Sequence, residues 1–243
     1  MKKLFSAGFV GVVAITLTAT ATASGPKWQE MGDAGSGPGG AQITIGNGTL
    51  GFINGGLGMS ALFGGMVDFE DMFLINIVNP TIFRATTDPL DGELGNAFAD
   101  FNTQLWLFQP MMGAPLDALG IVGNDDHPVT FSQFSLLLPD PTDGFKGGGV
   151  VTPGLYYIAI TRFDNDPVSM SGEIFDQVLP TEISGPDGLG GGDPISGWTG
   201  DEGTFKGAYR IALQGVEFAE IPAPGALSLL ALASFTMRRR RRR

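Results

Sequence analysis

Short apolar segments that alternate with polar residues and end at glycine or proline fill the middle of this chain. Residues 72–78, with the sequence MFLINIV, place Phe73, Ile75 and Ile77 on one face. A period of two is typical of half-buried β-strands. The same pattern recurs at 81–87, 103–108, 134–138, 155–163 and 208–218. Because no helical stripe of ten residues follows residue 24, the sequence predicts an all-β fold, an antiparallel β-sandwich of jelly-roll type.

Glycine and proline mark the limits of the predicted domain. The chain has 38 glycines and 16 prolines but lacks the Gly-x-y period of collagen. Residues 24–40 are rich in both and are predicted to form a flexible leader, and residues 180–205 a long acidic glycine-rich loop. Segments 41–46 and 50–55 predict a leading hairpin. One β-sandwich domain is therefore expected over residues 41–220.

The charge of this body is strongly negative. All 25 acidic residues lie between residues 24 and 220, against six basic residues there, which gives a formal charge of −19. Such a surface repels polyanions and attracts divalent cations, which argues against nucleic acid as a partner. Because the chain has no cysteine, an exported domain must rely on its hydrophobic core, with or without a metal.

The first 23 residues have the organisation of a secretory signal peptide. A basic start at Lys2 and Lys3 precedes an apolar stretch. Ala21 and Ala23 then occupy the small-residue positions that signal peptidase requires. The pattern predicts a signal helix over residues 1–23, export, and cleavage after Ala23.

The last residues, 221–243, combine a short apolar run with six terminal arginines. The run covers residues 225–237, fewer than the roughly 20 residues of a full membrane span. The arginines cannot cross a bilayer cheaply, so they are expected to stay on the cytoplasmic side, where their long side chains extend the span. A short C-terminal hydrophobic helix that holds the chain at the membrane is the expectation.

A Pro-x-Pro element precedes this run, so three elements follow one another in order. The residues concerned are Pro222, Ala223, Pro224, Arg238, Arg239 and Arg240. This order resembles the PEP-CTERM sorting signal of exosortase-bearing bacteria, although that family usually has Pro-Glu-Pro. The resemblance implies transient anchoring in the inner membrane, removal of the tail by exosortase-type sorting machinery, and delivery to the cell surface or extracellular matrix.

Four segments of the body also form an ordered set: VDFEDMFLINI (67–77), FNTQLWLFQ (101–109), GIVGNDD (120–126) and GLYYIAITRFDND (154–166). Together they resemble the bacterial pre-peptidase C-terminal (PPC) domain, in the form found in PEP-CTERM proteins. Asn102 replaces the usual Asp, and Phe69 and Glu70 separate Asp68 from Asp71. The resemblance implies a β-sandwich accessory module with adhesive or carbohydrate-related roles.

Signatures of nucleophilic catalysis and of zinc binding are missing from the sequence. Its one histidine, His127, would have to serve any Ser-His-Asp arrangement, yet no Gly-x-Ser-x-Gly motif is present. One histidine without cysteine excludes the usual zinc sites. His127 precedes Pro128 and is predicted to lie in an exposed turn. A glycosidase needs only two carboxylates, which this acidic chain can supply.

Acidic turns at strand ends are the best candidates for a binding site. Oxygen ligands from several loops are what Ca²⁺ needs, so calcium is the one cofactor that the sequence suggests. Plain Asx turns explain the same residues without a metal, and the sequence leaves this alternative open. The candidate ligands are Asp68, Asp71, Asn124, Asp125, Asp126, Asp164 and Asp166.

Two functions are compatible with these features. The first is a non-catalytic exported protein of the cell envelope or extracellular matrix. The second is a carbohydrate-binding module or a carboxylate-dependent glycan hydrolase, with extracellular polysaccharide as its partner. Trp198, in the sequence SGWTG, is a candidate stacking platform for sugar rings, although anchoring of its loop to the core is the favoured interpretation. The missing catalytic signatures favour the first function.

Overall fold

The computed structural model of this protein describes residues 26–58, 69–150, 152–200 and 207–219. Within these ranges the chain is all β apart from one 3₁₀ turn, Pro80–Ile82, which confirms the predicted class. None of the helical structure described has the length and hydropathy of a membrane span. The predicted signal helix and C-terminal hydrophobic helix, with their cleavage and sorting residues, lie outside the described residues.

Fifteen strands follow one another in the described part of the chain. They are β1 (Lys27–Gln29), β2 (Gln42–Ile43), β3 (Phe52–Leu57), β4 (Glu70–Ile77), β5 (Arg84–Thr86), β6 (Phe98–Ala99), β7 (Thr103–Met111), β8 (Ala114–Asn124), β9 (Leu136–Leu137), β10 (Gly154–Arg162), β11 (Pro167–Ser169), β12 (Gly172–Glu173), β13 (Ile195–Trp198), β14 (Gly207–Gln214) and β15 (Val216–Phe218).

Most of these strands belong to two six-stranded sheets. The first sheet has the order β1-β3-β14-β5-β9, with β6 also paired to β14, and the second has the order β15-β4-β10-β7-β8, with β2 also paired to β4. The antiparallel prediction holds for the other pairs of these sheets, but β1 runs parallel to β3 and β2 runs parallel to β4. Both sheets are therefore mixed.

One large hydrophobic cluster lies between the two sheets. The second sheet contributes Phe73, Ile75 and Ile77, which the alternation places on one face and which are fully buried. The first sheet contributes Ile53 and Ile211, which are equally buried. The two sheets therefore face each other across a shared core, as in a β-sandwich.

The N-terminal part of the body differs from its prediction. Residues 26–40, predicted as a flexible leader, contribute strand β1 and bury Trp28 and Ala34 in the core. The predicted leading hairpin is wrong, because β2 belongs to the second sheet and β3 to the first. The turn between them passes so close to the ring of Phe218 that a Cβ atom at Gly46 would lie 2.6 Å from it. This segment crosses between the sheets, which a local turn signal does not reveal.

A third layer covers the outer face of the second sheet. Residues 163–200, here called the outer layer, contain the small sheet β12-β11-β13. Ile174 and Phe175 of this layer pack with Met72, Trp106 and Phe108 of the second sheet in a separate hydrophobic cluster. The second sheet is consequently buried on both faces, and the stretch predicted as a long loop contributes a strand and packed turns to this layer.

Candidate functional site

The predicted calcium ligands are divided between two places at one end of the second sheet. Asp68 lies outside the described residues. Asp71, at the start of β4, points between the sheets, where its Oδ2 accepts a hydrogen bond from the hydroxyl of Tyr209 at 2.5 Å. Candidate ligand atoms of Asp71, Glu30 and Asp33 lie within 4.8 Å of one another. The fold thus brings Asp71 to two residues of the predicted leader, not to the other predicted ligands.

Glu30 is held tightly in this first cluster. Its Oε2 accepts a hydrogen bond from the backbone N–H of Gly56 at 2.8 Å. Burial raises the pKa of Glu30 to about 7, and the negative charge of Asp33 adds to the rise, while the hydrogen bond from Gly56 opposes it. A Cβ atom at Gly55 would stand 2.2 Å from the Tyr209 hydroxyl oxygen, so only glycine fits beside this group. Sequence reasoning missed Glu30 because the segment around it reads as a flexible leader.

Asn124 has a structural role. Its side-chain Nδ2 donates to the backbone oxygens of Asp126 and Glu182, at 2.9 and 2.8 Å, and its Oδ1 accepts from the N–H of Leu136 at 2.7 Å. These bonds use the whole amide group to join three segments. For Asn124, the turn interpretation therefore describes the observed contacts better than metal ligation does.

Asp125, Asp164 and Asp166 come together in one cavity of about 170 Å³. Asp125 directly follows β8, and the other two follow β10; strand β7 lies between these strands in the sheet, so their ends meet at one edge. This cavity is here called the acidic pocket. Its lining consists of Gln104, Asp125, Phe163, Asp164, Asp166, Gln177 and Pro180.

The carboxylates of the acidic pocket are in a poor environment for negative charge. Burial raises the pKa of Asp125 to about 7, with further contributions from the charges of Asp126, Asp166 and Asp164. Burial also raises the pKa of Asp166, although a hydrogen bond from Gln104 Nε2 to its Oδ1, at 2.9 Å, opposes the rise. Among the described residues, no Lys, Arg or His lines the pocket.

His127 is not in an exposed turn as predicted but is buried. Its Nδ1 accepts hydrogen bonds from the backbone N–H groups of Val129 and Thr130, at 3.2 and 3.3 Å, which places the ring proton on Nε2. Nε2 faces Asp91, whose Oδ2 is 3.9 Å away. The ring closes its own turn, so local packing explains the burial that the polar sequence around it did not suggest.

The hydroxyl groups near His127 have other partners. Ser132 donates to Asp88 Oδ2 at 2.8 Å, and Thr130 donates to the same oxygen. Neither hydroxyl is bonded to the imidazole, which is the contact that a nucleophile activated by histidine requires. This polar group therefore has the geometry of a folded loop and not of a catalytic triad.

Trp198, the predicted stacking residue, is half-buried at the end of β13. Its indole N–H donates to the backbone oxygen of Ser36 at 2.6 Å, and its ring packs nearly perpendicular to that of Phe108, with the centroids 6.3 Å apart. These contacts tie the outer layer to the N-terminal segment and to the second sheet. They are those of an anchoring residue; sugar stacking by this ring stays a prediction.

Comparison of the chain with protein-family models, with curated proteins and with solved structures finds no match. The resemblances to the PEP-CTERM signal and to the PPC domain therefore stay predictions from the sequence.

Proposed function

We propose that this chain is a non-catalytic, exported protein of the cell envelope or extracellular matrix, with a jelly-roll-like β-sandwich body that is sorted through its C-terminal segment. The observation that carries the proposal is the pairing of the two ends. Residues 1–23 have the pattern of an export signal, and a Pro-x-Pro element, a short apolar run and six arginines stand in order at 221–243.

The contacts of the body support a non-catalytic role. His127 is the one histidine of the chain, and its ring nitrogens face backbone N–H groups and Asp91. The buried aromatic residues Trp106, Phe108 and Phe175 pack against one another between the outer layer and the second sheet. An extensive core and a strongly acidic surface are the properties of a stable, soluble structural module.

The tail is expected to act as a temporary brake on export. Moving one arginine through hydrocarbon costs about 2.5–3.5 kcal/mol even on lenient scales, and the tail has six, so translocation stalls with the apolar run in the membrane. Pro222 and Pro224 would then hold an extended, non-helical segment at the outer face, accessible to a sorting protease.

Mass spectrometry of the protein recovered from its native host tests this proposal. We expect a mature N-terminus after Ala23 and a C-terminus that has lost Arg238–Arg243. Replacing all six arginines with serine should release uncleaved protein, because nothing then stops translocation. Replacing them with lysine is the matched control, which keeps the charge and should preserve sorting. A mature protein that still carries the arginines would contradict the proposal.

A glycan-related function is the second candidate, because the acidic pocket pairs a carboxyl of raised pKa with further carboxylates, as glycosidases do. At about 170 Å³ the pocket is smaller than the roughly 300–1,000 Å³ of typical ligand sites, which favours a smaller occupant than a sugar chain. A screen of the protein against polysaccharides, with a hydrolysis assay alongside, tests this candidate. Hydrolysis that is lost in Asp125→Asn would favour it over the first proposal.

A further inference from the structure

A buried carboxylate oxygen in the acidic pocket has no hydrogen-bond partner among the described residues. Asp125 is only 6 % exposed, and its Oδ1 is shielded from solvent without accepting a hydrogen bond. Gln177, which lines the same cavity, has a buried side-chain Nε2 that is equally unpartnered. Burying polar atoms without partners is costly, and more so for a charged group. Two such atoms, on two residues that line one cavity, call for a partner that the described residues do not supply.

The lining of the acidic pocket defines the chemistry of the missing partner. Three carboxylates face the cavity, and no cationic side chain lines it among the described residues. Hydrogen bonds fix one of the three, because Gln104 donates to Asp166 while its own Oε1 accepts from the N–H of Asn165 at 3.1 Å. A cation that binds oxygen ligands would give Asp125 Oδ1 a partner. Its positive charge would also offset the mutual repulsion of the carboxylates.

We infer that the acidic pocket binds a calcium ion, which fastens the outer layer to the second sheet. Asp125, Asp164 and Asp166 would supply carboxylate oxygens, and a half-turn of the Gln177 amide would present its oxygen in place of the nitrogen. Ca²⁺ accepts six to eight oxygen ligands in flexible geometry, so waters complete the shell, for which the cavity has room. Mg²⁺ demands a tighter octahedron and suits ligands from separate loops less well.

The position of the ligands explains what the ion would do for the fold. Asp125 directly follows β8 of the second sheet, whereas Asp164, Asp166 and Gln177 belong to the outer layer. A direct backbone bond already joins the two at this point, from the N–H of Asp126 to the oxygen of Pro180 at 2.7 Å. An ion held from both sides would cross-link the layers at the edge where acidic side chains otherwise repel one another.

The cluster of Glu30, Asp33 and Asp71 does not carry the same inference. Asp71 accepts a hydrogen bond from Tyr209, and Glu30 accepts one from Gly56, so these carboxylate oxygens already have partners. The two places can be separated experimentally, because they share no residue.

Thermal unfolding of the purified full-length protein tests the site. Melting temperatures are compared at about pH 7.5 in EDTA, in Ca²⁺ and in Mg²⁺, since a ligand that binds only the folded state stabilises it. Ca²⁺ at tenfold excess over its dissociation constant multiplies the folded-to-unfolded ratio about elevenfold. For a chain of this size that corresponds to a rise of roughly 3–6 °C. Mg²⁺ should give a smaller rise.

Two variants assign the effect to the acidic pocket. Asp125→Asn should abolish the calcium-dependent rise, and in EDTA it should fold at least as stably as the original protein, because it removes a buried charge. Asp117→Asn is the matched control. Asp117 lies on β8, the strand that precedes Asp125, but it is exposed and does not line the acidic pocket. This variant should therefore keep the full calcium-dependent rise in melting temperature. Amide hydrogen exchange is an independent measurement. Ca²⁺ should slow the exchange of backbone amides in residues 163–180.

Two results would overturn the inference. Identical melting curves in Ca²⁺ and EDTA would show that the folded protein binds no calcium. A full calcium response in Asp125→Asn would place the ion elsewhere, with Glu30 and Asp71 as the next residues to substitute. Neither result depends on how the protein is exported or sorted.

Discussion

The side chain of Glu30 is half-buried beside the backbone of Gly56, and this burial is the main cause that raises its pKa to about 7. Because the folded pKa exceeds the unfolded one, the stability it contributes is complete below pH 4.5 and is lost as the pH rises through about 7. In EDTA, the melting temperature should therefore fall between about pH 5 and about pH 8, and Glu30→Gln should show a smaller fall.

The comparison isolates Glu30 because Gln keeps the shape of the side chain without its charge. Burial raises the pKa of Glu70, Asp125 and Asp166 as well, so part of the slope should remain in the variant. Parallel melting profiles for the two proteins would contradict the assignment.

Asp91 shows the opposite balance. Burial acts to raise its pKa, but the contacts with His127 and Arg84 outweigh it and hold the pKa well below its usual range. Arg84 donates to both Asp91 oxygens, at 2.8 and 2.9 Å, and the Asp91 side chain is almost fully buried. Asp91→Asn should cost about 3 kcal/mol of unfolding free energy, since it leaves the guanidinium without its buried charged partner.

Glu93 offers the matched control for this pair. It lies 4.0 Å from the same arginine, but its side chain is 72 % exposed. Glu93→Gln should change the unfolding free energy by less than about 0.5 kcal/mol, as exposed pairs do. Urea unfolding of both variants decides the matter, and equal losses would contradict the importance of burial here.

The outer layer is an element whose glycines pack tightly. A Cβ atom at Gly190 would lie 2.1 Å from the backbone oxygen of Gly172, and the Gly190 N–H donates to Glu173 O at 2.7 Å. Gly190→Ala should therefore destabilise the protein by about 1–3 kcal/mol, because the backbone must move. Circular dichroism during thermal unfolding measures the change.

Gly192, two residues along the chain, has open space where a Cβ would stand. Gly192→Ala should be neutral or stabilise by up to about 1 kcal/mol, because it reduces the entropy of the unfolded chain. If both alanine variants melted like the original protein, the close approach of Gly190 to Gly172 would not constrain the fold.

The charge of the whole molecule sets a further expectation. With 25 acidic and six basic residues in the body, negative charges within the folded protein repel one another and destabilise it. Raising NaCl from about 0.01 M to about 0.1 M shortens the screening length from about 30 to about 10 Å, so the melting temperature in EDTA should rise. KCl should act in the same way, because screening does not depend on which monovalent cation is present. A melting temperature that does not change with salt concentration would show that the charges are too far apart to interact.

Local patterns were enough to predict the class of the fold. Alternation at 72–78 predicts that Phe73, Ile75 and Ile77 share a buried face, and they do. A two-residue period depends only on neighbours in the chain, which is why the face of a strand on which a side chain lies can be predicted from the sequence. The sequence predicts that Asp125 and Asp164 lie at strand ends, and both residues line the acidic pocket because β8 and β10 end at the same edge of the sheet.

Tertiary structure decided which distant residues pack against the faces of the strands. Asp71 and Tyr209 are 138 residues apart, and nothing near either of them in the chain indicates their hydrogen bond. The burial of Trp106 on the outer face follows from Phe175, which packs against it from a segment in which the sequence predicts no strand. Composition determined that the body is acidic, and alternation determined that it is all β. Only the packing of distant segments determined where that charge is buried, because burial depends on partners that the local sequence does not specify.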